Sequence, residues 1–484
     1  MGARQSLKHR AADLTGVVYA LGFVDLLTVL FQIGRRVETF LRGIRFSCLD
    51  VYPRLDGYHN CMKKARGERF EFTEKTKQIL AGRSGYQCSF PACSKLKSGP
   101  AMKSGGVSMT GKAAHIFSAA KHGPRGQGDL TEEQLKSPEN AIWLCSNHAT
   151  EIDNRRGDGY PPAVLVSLKG LHEASIARKH RGIYAPLGWI HELRITGGTL
   201  FKTPATIRFG QVTFIAGGNA SGRSALCEWL ASVTDPTWAL QRWRHVRHGD
   251  QPICFELTGF NPAEYRVGVQ VLESGKTRFQ FNDNEVPYNP ASTKFFTITS
   301  VSKGKVADHE KDAWDAWGDL RRISSVIRVD VTALENILSD VGSLGRTVKK
   351  IWVDEPVLEG ENSDGYEPRS KLMVKLEYHE FSLPFFELAS SEQMFVLFEI
   401  GITLASFSGS YVPTVLILDD FSVFQGDLRE EWLEEFSSSG HLFQTVVEVA
   451  CDPEKFDLPL RPDWQVVSLV GARRNVAVCQ FGGE

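Results

Sequence analysis

Two short-spaced ligand pairs constrain this chain more than any other feature: Cys88-Ser-Phe-Pro-Ala-Cys93 and, further on, Cys145-Ser-Asn-His148. Zn²⁺ takes four soft or borderline ligands in a tetrahedron, and two tight turns brought together supply them. A site closed by four protein ligands is structural, so Cys88, Cys93, Cys145 and His148 are expected to hold a structural zinc. The residues around them offer few apolar side chains for a core of their own, a shortage that a metal staple offsets. The chain has nine cysteines, an odd number. With three of them in this pattern and no secretory signal, a reducing compartment and zinc are favoured over a disulfide framework. The expected location is the cytoplasm.

At 484 residues the chain exceeds one ordinary hydrophobic core, and two or three domains are expected. A content of 42% hydrophobic and 23% charged residues excludes a disordered or membrane-saturated protein. The net charge of -1 conceals a basic stretch. From Lys63 to Arg125 Lys and Arg far outnumber the acidic Glu68, Glu71 and Glu74. Such a surplus suits a phosphate-facing surface, because neutralised phosphates release counterions.

Three segments follow from the texture. Residues 1–67 form an N-terminal helical region with no role assigned by sequence. Within it Thr15 to Ile33 is nearly continuous apolar sequence with Asp25 at its centre, where a carboxylate is costly in hydrocarbon. A packed helix or hairpin is expected there; a membrane segment and a stretch upstream of the true start are the alternatives. Residues 68–183 contain loop-rich stretches at Lys97–Lys112 and Ala119–Gly128, a helix start at Thr131–Leu135 and a closing helix at Val164–Ala177. Residues 186–484 alternate strand-like runs and helices. Val212–Ala216 is an apolar strand running into glycines, Ser224–Val233 reads as a helix, and Val415–Leu418 is a second buried strand of a parallel sheet. No sustained heptads occur between Asp235 and Phe381, so no coiled-coil arm is encoded.

Between the ligand pairs stand Ala113-Ala-His115-Ile-Phe, Gly123-Pro-Arg125 and Pro138-Glu-Asn140-Ala-Ile-Trp-Leu-Cys145, followed by Glu151-Ile-Asp153-Asn. This order, over about Phe72 to Arg155, resembles the HNH (ββα-metal) endonucleases. The resemblance implies that His115, on a first strand, is the general base that takes a proton from water. Asn140, on a second strand, would hold His115 by a hydrogen bond. A catalytic Mg²⁺ or Mn²⁺ would stabilise charge on the phosphate and the leaving oxygen. The chain departs from the family at Ala149, where a histidine usually ligates that metal. Asp153, one helical turn on, is the replacement ligand, or else caps or pairs with Arg155 or Arg156.

Gly217-Gly-Asn219-Ala-Ser-Gly222-Arg223-Ser224 follows an apolar strand and opens a helix, the context a phosphate-binding loop requires. Its backbone N–H groups would cradle the phosphates of ATP, with Ser224 on Mg²⁺. Leu388-Ala-Ser390-Ser-Glu-Gln393 precedes a helix, and Val415-Leu-Ile-Leu-Asp419-Asp420 ends a strand. These three stretches in this order resemble the ABC-type ATPases of the SMC and DNA-repair group. Gly217, Asn219, Gly222, Arg223, Ser224, Ser390, Gln393, Asp419 and Asp420 are the nucleotide-site residues so implied. Every motif is altered: arginine stands for the loop lysine, Ala389 and Ser391 for signature residues, and Asp420 for a glutamate. Binding of ATP is therefore expected ahead of rapid turnover.

The expected fold is multidomain, an α+β zinc-stapled ββα-metal domain followed by an α/β ABC-type P-loop domain. The leading reading is a DNA-cutting HNH endonuclease regulated by ATP, laid out like the bacterial anti-phage systems of the Septu type that join such a nuclease to such an ATPase. ABC logic implies a homodimer or a partner ATPase subunit. An inactive nucleic-acid-binding regulator and a repair-type ATPase with a docking zinc domain remain open.

Overall fold

The computed structural model describes residues 69–482 except 91–92, 94, 103–104, 183–187, 236–251, 273, 275, 288, 290–292, 301–313, 315–316, 343–346, 355–369, 420, 425, 437–440 and 452–463. The apolar segment Thr15 to Ile33 lies outside the described residues, as does Asp420. The described residues all belong to one compact unit, Glu68–Glu484. None of their helices is long and apolar enough to cross a membrane.

The first part is held together locally. Helix α1 (Glu74–Arg83) starts where the Thr73 hydroxyl accepts from the Thr76 amide at 3.1 Å. A two-stranded ribbon, β1 (Ser98–Pro100) and β2 (Val107–Met109), leads to β3 (Gly111–His115). A short helix, α2 (Glu132–Leu135), is closed by a Thr131/Gln134 capping box. A 3-10 turn, Pro138–Asn140, then enters β4 (Ala141–Cys145), which pairs antiparallel with β3 so that His115 faces Ala141 and Gly111 faces Cys145. Helix α3 (Ser146–Glu151) follows at once, giving a β-β-α unit. Helix α4 (Pro162–His180) closes the region, burying Val164, Leu165 and Leu168.

The remaining chain builds three sheets. In chain order the elements are β5 (Ile190–Gly197), β6 (Ala205–Arg208), β7 (Val212–Gly217), α5 (Arg223–Ala231), β8 (Ile253–Phe260), β9 (Glu264–Val271), β10 (Thr277–Phe281), β11 (Asn284–Val286) and β12 (Lys294–Ile298). Then come α6 (Asp319–Ile327), α7 (Val331–Ile337), β13 (Val348–Asp354), β14 (Lys371–Leu376), β15 (Leu383–Pro384), α8 (Ser390–Gly409), β16 (Thr414–Leu418), α9 (Gly426–Phe436), β17 (Gln444–Val449), β18 (Trp464–Val470) and β19 (Ala477–Gly482). An antiparallel sheet runs β11-β10-β9-β8-β5-β6, and a small one runs β13-β14-β15. The central sheet runs β12-β16-β17-β7-β18-β19, parallel throughout except for β19.

Every residue of β7, β16 and β17 is buried, as in a parallel sheet covered on both faces; β7 and β16 accordingly carry no charged residue, whereas β17 holds one, Glu448. Side chains still alternate. Ile215, Val415 and Ile417 join a cluster that contains α5 and the antiparallel sheet, whereas Phe214, Leu416 and Leu418 face α8 and α6. The first of these clusters also takes in Cys88, Leu144 and Leu165 from the N-terminal part. Helix α4 forms the seam. A Cβ on Gly170 would lie 3.1 Å from the Pro262 carbonyl and 3.4 Å from the Phe260 ring, and Ser167 Oγ donates to Asn261 at 3.0 Å.

Candidate functional site

The Cys/His cluster assembles from both sides of β4. Cys88 and Cys93 come from the turn after α1, while Cys145 ends β4 and His148 lies in the first turn of α3. The four ligand atoms all lie within 4.8 Å of one another, and His148 Nδ1 is 3.3 Å from both Cys88 Sγ and Cys145 Sγ. A tetrahedral zinc with S and N ligands places its donors about 3.3–3.8 Å apart, the spacing of His148 from Cys88 and Cys145, and the soft donor set of three thiols and an imidazole fits zinc. The buried Phe90 ring stacks on His148 at 4.0 Å and fixes its orientation, while Glu151, which accepts from the Tyr160 hydroxyl, stands 3.9 Å from Nε2. Burial pushes the Cys88 thiol up to about 12, so a cation must displace its proton to make it a thiolate ligand.

His115, at the end of β3, opens into a cleft of about 290 Å³ lined among others by Arg69, Glu71, Lys112, Ala149 and Asp153. The His115 ring stacks on Phe72 with centroids 3.7 Å apart. Nε2 lies 3.0 Å from the Phe70 carbonyl, which only accepts, so Nε2 carries the proton and Nδ1 keeps the lone pair. Burial lowers the His115 pKa, and the imidazole is neutral at neutral pH.

Two expectations change. Asn140 sits in the turn before β4, not on the strand, and its side chain does not hold the imidazole. Its Oδ1 accepts from the Phe117 amide at 2.8 Å, and its Nδ2 donates to the carbonyls of Phe117 at 2.9 Å and Leu135 at 3.1 Å. Asn140 thus pins the chain two residues beyond His115. With both of its polar ends committed to the backbone of Phe117 and Leu135, the buried Asn140 amide fixes that chain and not the imidazole. Asp153 pairs with neither Arg155 nor Arg156. Its Oδ1 accepts from Arg125 at 2.7 Å, and the buried Arg125 also donates to the carbonyls of His115, Ile116 and Ile152. Arg125 therefore ties β3 to the end of α3. The Gly123-Pro-Arg125 loop packs closely on the chain that follows β3, where a Cβ on Gly123 would lie 1.8 Å from Ser118 Oγ. Glu71 and Arg69, which pair with each other, were not singled out by sequence. They precede the motif-bearing strand and reach the cleft because Arg69 pairs with Ala120 and the Phe70 amide donates to the Ala119 carbonyl at 2.9 Å.

The glycine-rich loop joins β7 to α5 at the carboxyl edge of the central sheet. Gly222 needs its glycine: φ is +92°, and a Cβ would lie 3.1 Å from Leu200 and Phe201. The Arg473 amide donates to the Ala220 carbonyl at 2.8 Å, fixing the loop from the β18–β19 turn. Asp419, at the end of β16 on the same edge, accepts from Thr299 Oγ1 at 2.8 Å. The unforeseen participant is Glu448 on β17, the strand between β16 and β7. It is 3.4 Å from the Arg223 guanidinium and accepts from Ser224 Oγ at 3.2–3.3 Å. A single charged residue after the apolar pair Val446–Val447 was its sequence signal. Ser390, exposed at the start of α8, and Gln393, whose Nε2 donates to the Leu388 carbonyl, make no hydrogen bond to this loop. Gly217 packs its α-carbon against Ser221, and Asn219 is exposed.

No protein-family model matches the chain, and no curated protein matches it. Among solved structures it is similar to an SMC head bound to the C-winged helix domain of ScpA, with 12% identity, a TM-score of 0.41, and coverage of 61% of this chain and 98% of that one. It is similar also to the SMC head domain from Thermotoga maritima, at 14% identity and TM-score 0.33, covering 61% and 99%. A third similar structure is the recombination mediator protein RecF with ATP, at 10% identity and TM-score 0.38, covering 61% and 98%.

Proposed function

We propose that this chain is a metal-dependent endonuclease of the HNH (ββα-metal) type that hydrolyses DNA phosphodiester bonds and is governed by an ATP-binding P-loop region of the ABC/SMC type. The observation that carries the nuclease reading is the cleft in which a neutral His115, its tautomer set by the Phe70 carbonyl, stands with Glu71 and Asp153. His115 Nδ1 takes a proton from water as the water oxygen bonds to phosphorus and the P–O bond to the leaving oxygen breaks. A Mg²⁺ or Mn²⁺ held by Asp153 and Glu71 would supply charge neutralisation at the phosphate. Arg69 and Lys112 bind and orient the backbone there. Cys88, Cys93, Cys145 and His148 hold structural zinc and so fix α3 against β3 and β4.

The nucleotide reading rests on the loop at the carboxyl ends of β7 and β16, where open parallel sheets bind their ligands. The exposed Ser390 at the start of α8 would meet the nucleotide of a second copy or a partner ATPase, with the half-buried Gln393 one turn on. By resemblance of this two-part layout, the setting is anti-phage defence in the cytoplasm.

One observation favours a second reading, an inactive nucleic-acid-binding regulator: Asp153 is already engaged by a buried guanidinium, and Ala149 offers no ligand. Plasmid nicking in Mg²⁺ or Mn²⁺, for wild type and His115→Ala with and without ATP, separates the two. Cutting that disappears in the variant while zinc content and DNA binding persist supports the nuclease. Absence of metal-dependent cutting by wild type under every condition supports the regulator.

A further inference from the structure

The β1–β2 ribbon is absorbed by neither site. Among the described residues it pairs with itself over three residue pairs, Ser98↔Met109 to Pro100↔Val107, and joins no larger sheet. A lone two-stranded ribbon is marginal in water unless something covers it. All three residues of β2 are exposed, and the ribbon with its turn carries Met102 and Val107 at 101% and 70% exposure, with Met109 beside them; Leu96 is exposed too, at the foot. Large apolar side chains gathered on one projecting element mark an interaction surface.

Charge says what covers it. No Asp or Glu occurs between Glu74 and Asp129, whereas Lys95 and Lys97 stand at the foot of one ribbon strand and Lys112 just beyond the other. The foot is rigid. The Lys97 amide donates to the Tyr86 carbonyl at 2.7 Å, the Thr110 amide donates to the Lys97 carbonyl at 2.8 Å, and β2 runs through Thr110 into β3, which ends at His115. The apolar end therefore projects from the same element that carries the candidate base, with cations between the two.

We infer that the β1–β2 ribbon enters a groove of duplex DNA beside the cleft, with Lys95, Lys97 and Lys112 on backbone phosphates and Met102 and Val107 wedged against base steps. A duplex groove admits a two-stranded ribbon, and apolar side chains such as Leu and Met are those that unstack a step and bend the duplex. This inference rests on the nuclease reading of the neighbouring cleft. The ribbon supplies grip and shape selection, while the cleft supplies chemistry.

The test is fluorescence anisotropy of the full-length protein with a labelled duplex of about 30 base pairs over a range of salt, without added Mg²⁺ or Mn²⁺. Met102→Ser/Val107→Ser is expected to weaken duplex binding roughly tenfold or more while the salt dependence and zinc content stay as in wild type. Lys95→Ser is expected to lower the slope of log affinity against log salt by about one. Wild-type affinity in the double serine variant overturns the inference and, if wild type still nicks plasmid, leaves the nuclease reading intact. A variant that keeps its duplex affinity but turns from dimer to monomer in light scattering assigns the ribbon to a second copy and also overturns it. Failure of wild type to bind duplex overturns both readings together.

Discussion

Glu448 lies 3.4 Å from the Arg223 guanidinium and accepts a hydrogen bond from Ser224, so one buried carboxylate occupies the two side chains that a phosphate-binding loop directs at a nucleotide and its cation. Removing one partner of a buried pair leaves the other uncompensated, at a cost of about 3–5 kcal/mol. Glu448→Gln is therefore expected to destabilise the nucleotide-free protein. It also frees Arg223 for phosphate, so ATP with Mg²⁺ should restore more stability to the variant than to wild type. Thermal unfolding with and without nucleotide reads both effects, and equal shifts in the two proteins would show that Glu448 does not compete with nucleotide.

The depressed pKa of His115 has a signed consequence. Burial is the main cause, and the base is competent when neutral. Cleavage should be flat above the ordinary histidine value of about 6.5 and decline only as pH falls below it. Stability follows the same direction: the contribution of this group is full above the unfolded pKa and is lost as pH falls toward the lower folded one. A cleavage rate that halves at or above the ordinary histidine value would contradict the assignment.

Cys145 has two jobs, since its sulfur lies in the donor cluster and also accepts from the His148 amide at 3.5 Å as the cap of α3. Cys145→Ala is expected to abolish zinc binding, measured by elemental analysis, and to lower stability by several kcal/mol, more than the roughly 1 kcal/mol of a lost cap. A stable variant that retains one zinc per chain would remove the cluster from the fold's support.

Gly170 sets how closely α4 meets the β8–β9 connection. Gly170→Leu should push the two apart and cost about 1–3 kcal/mol as an overpacked contact. If the seam carries the nucleotide signal, plasmid cutting by this variant should persist but lose its response to ATP. An unchanged response would place the coupling elsewhere.

Elements with strong local patterns were legible in advance. The helix read at Val164–Ala177 spans Pro162–His180, and the strand read at Val415–Leu418 spans Thr414–Leu418. Continuous apolar runs and ligand spacing are short-range signals, and both survive in a single sequence. The antiparallel sheet between β5 and β11 was not readable as a sheet, because its pairings join β5 to β8 across a distance in sequence that no local pattern spans.

What the sequence alone determined is the chemistry available: four zinc-type donors in two tight pairs, a histidine flanked by apolar residues, and a glycine-rich loop between strand and helix. Only the tertiary structure decided which partners those groups have. Asn140 holds Phe117 instead of His115, Asp153 answers to Arg125, and Arg223 meets Glu448 from a strand far along the chain, whose carboxylate also accepts from Ser224 at a separation of 224 residues. The reason is physical. A motif fixes donors and acceptors within a few residues, whereas the pairing of a buried charge is settled by whichever opposite group the folded core leaves within reach once water is gone.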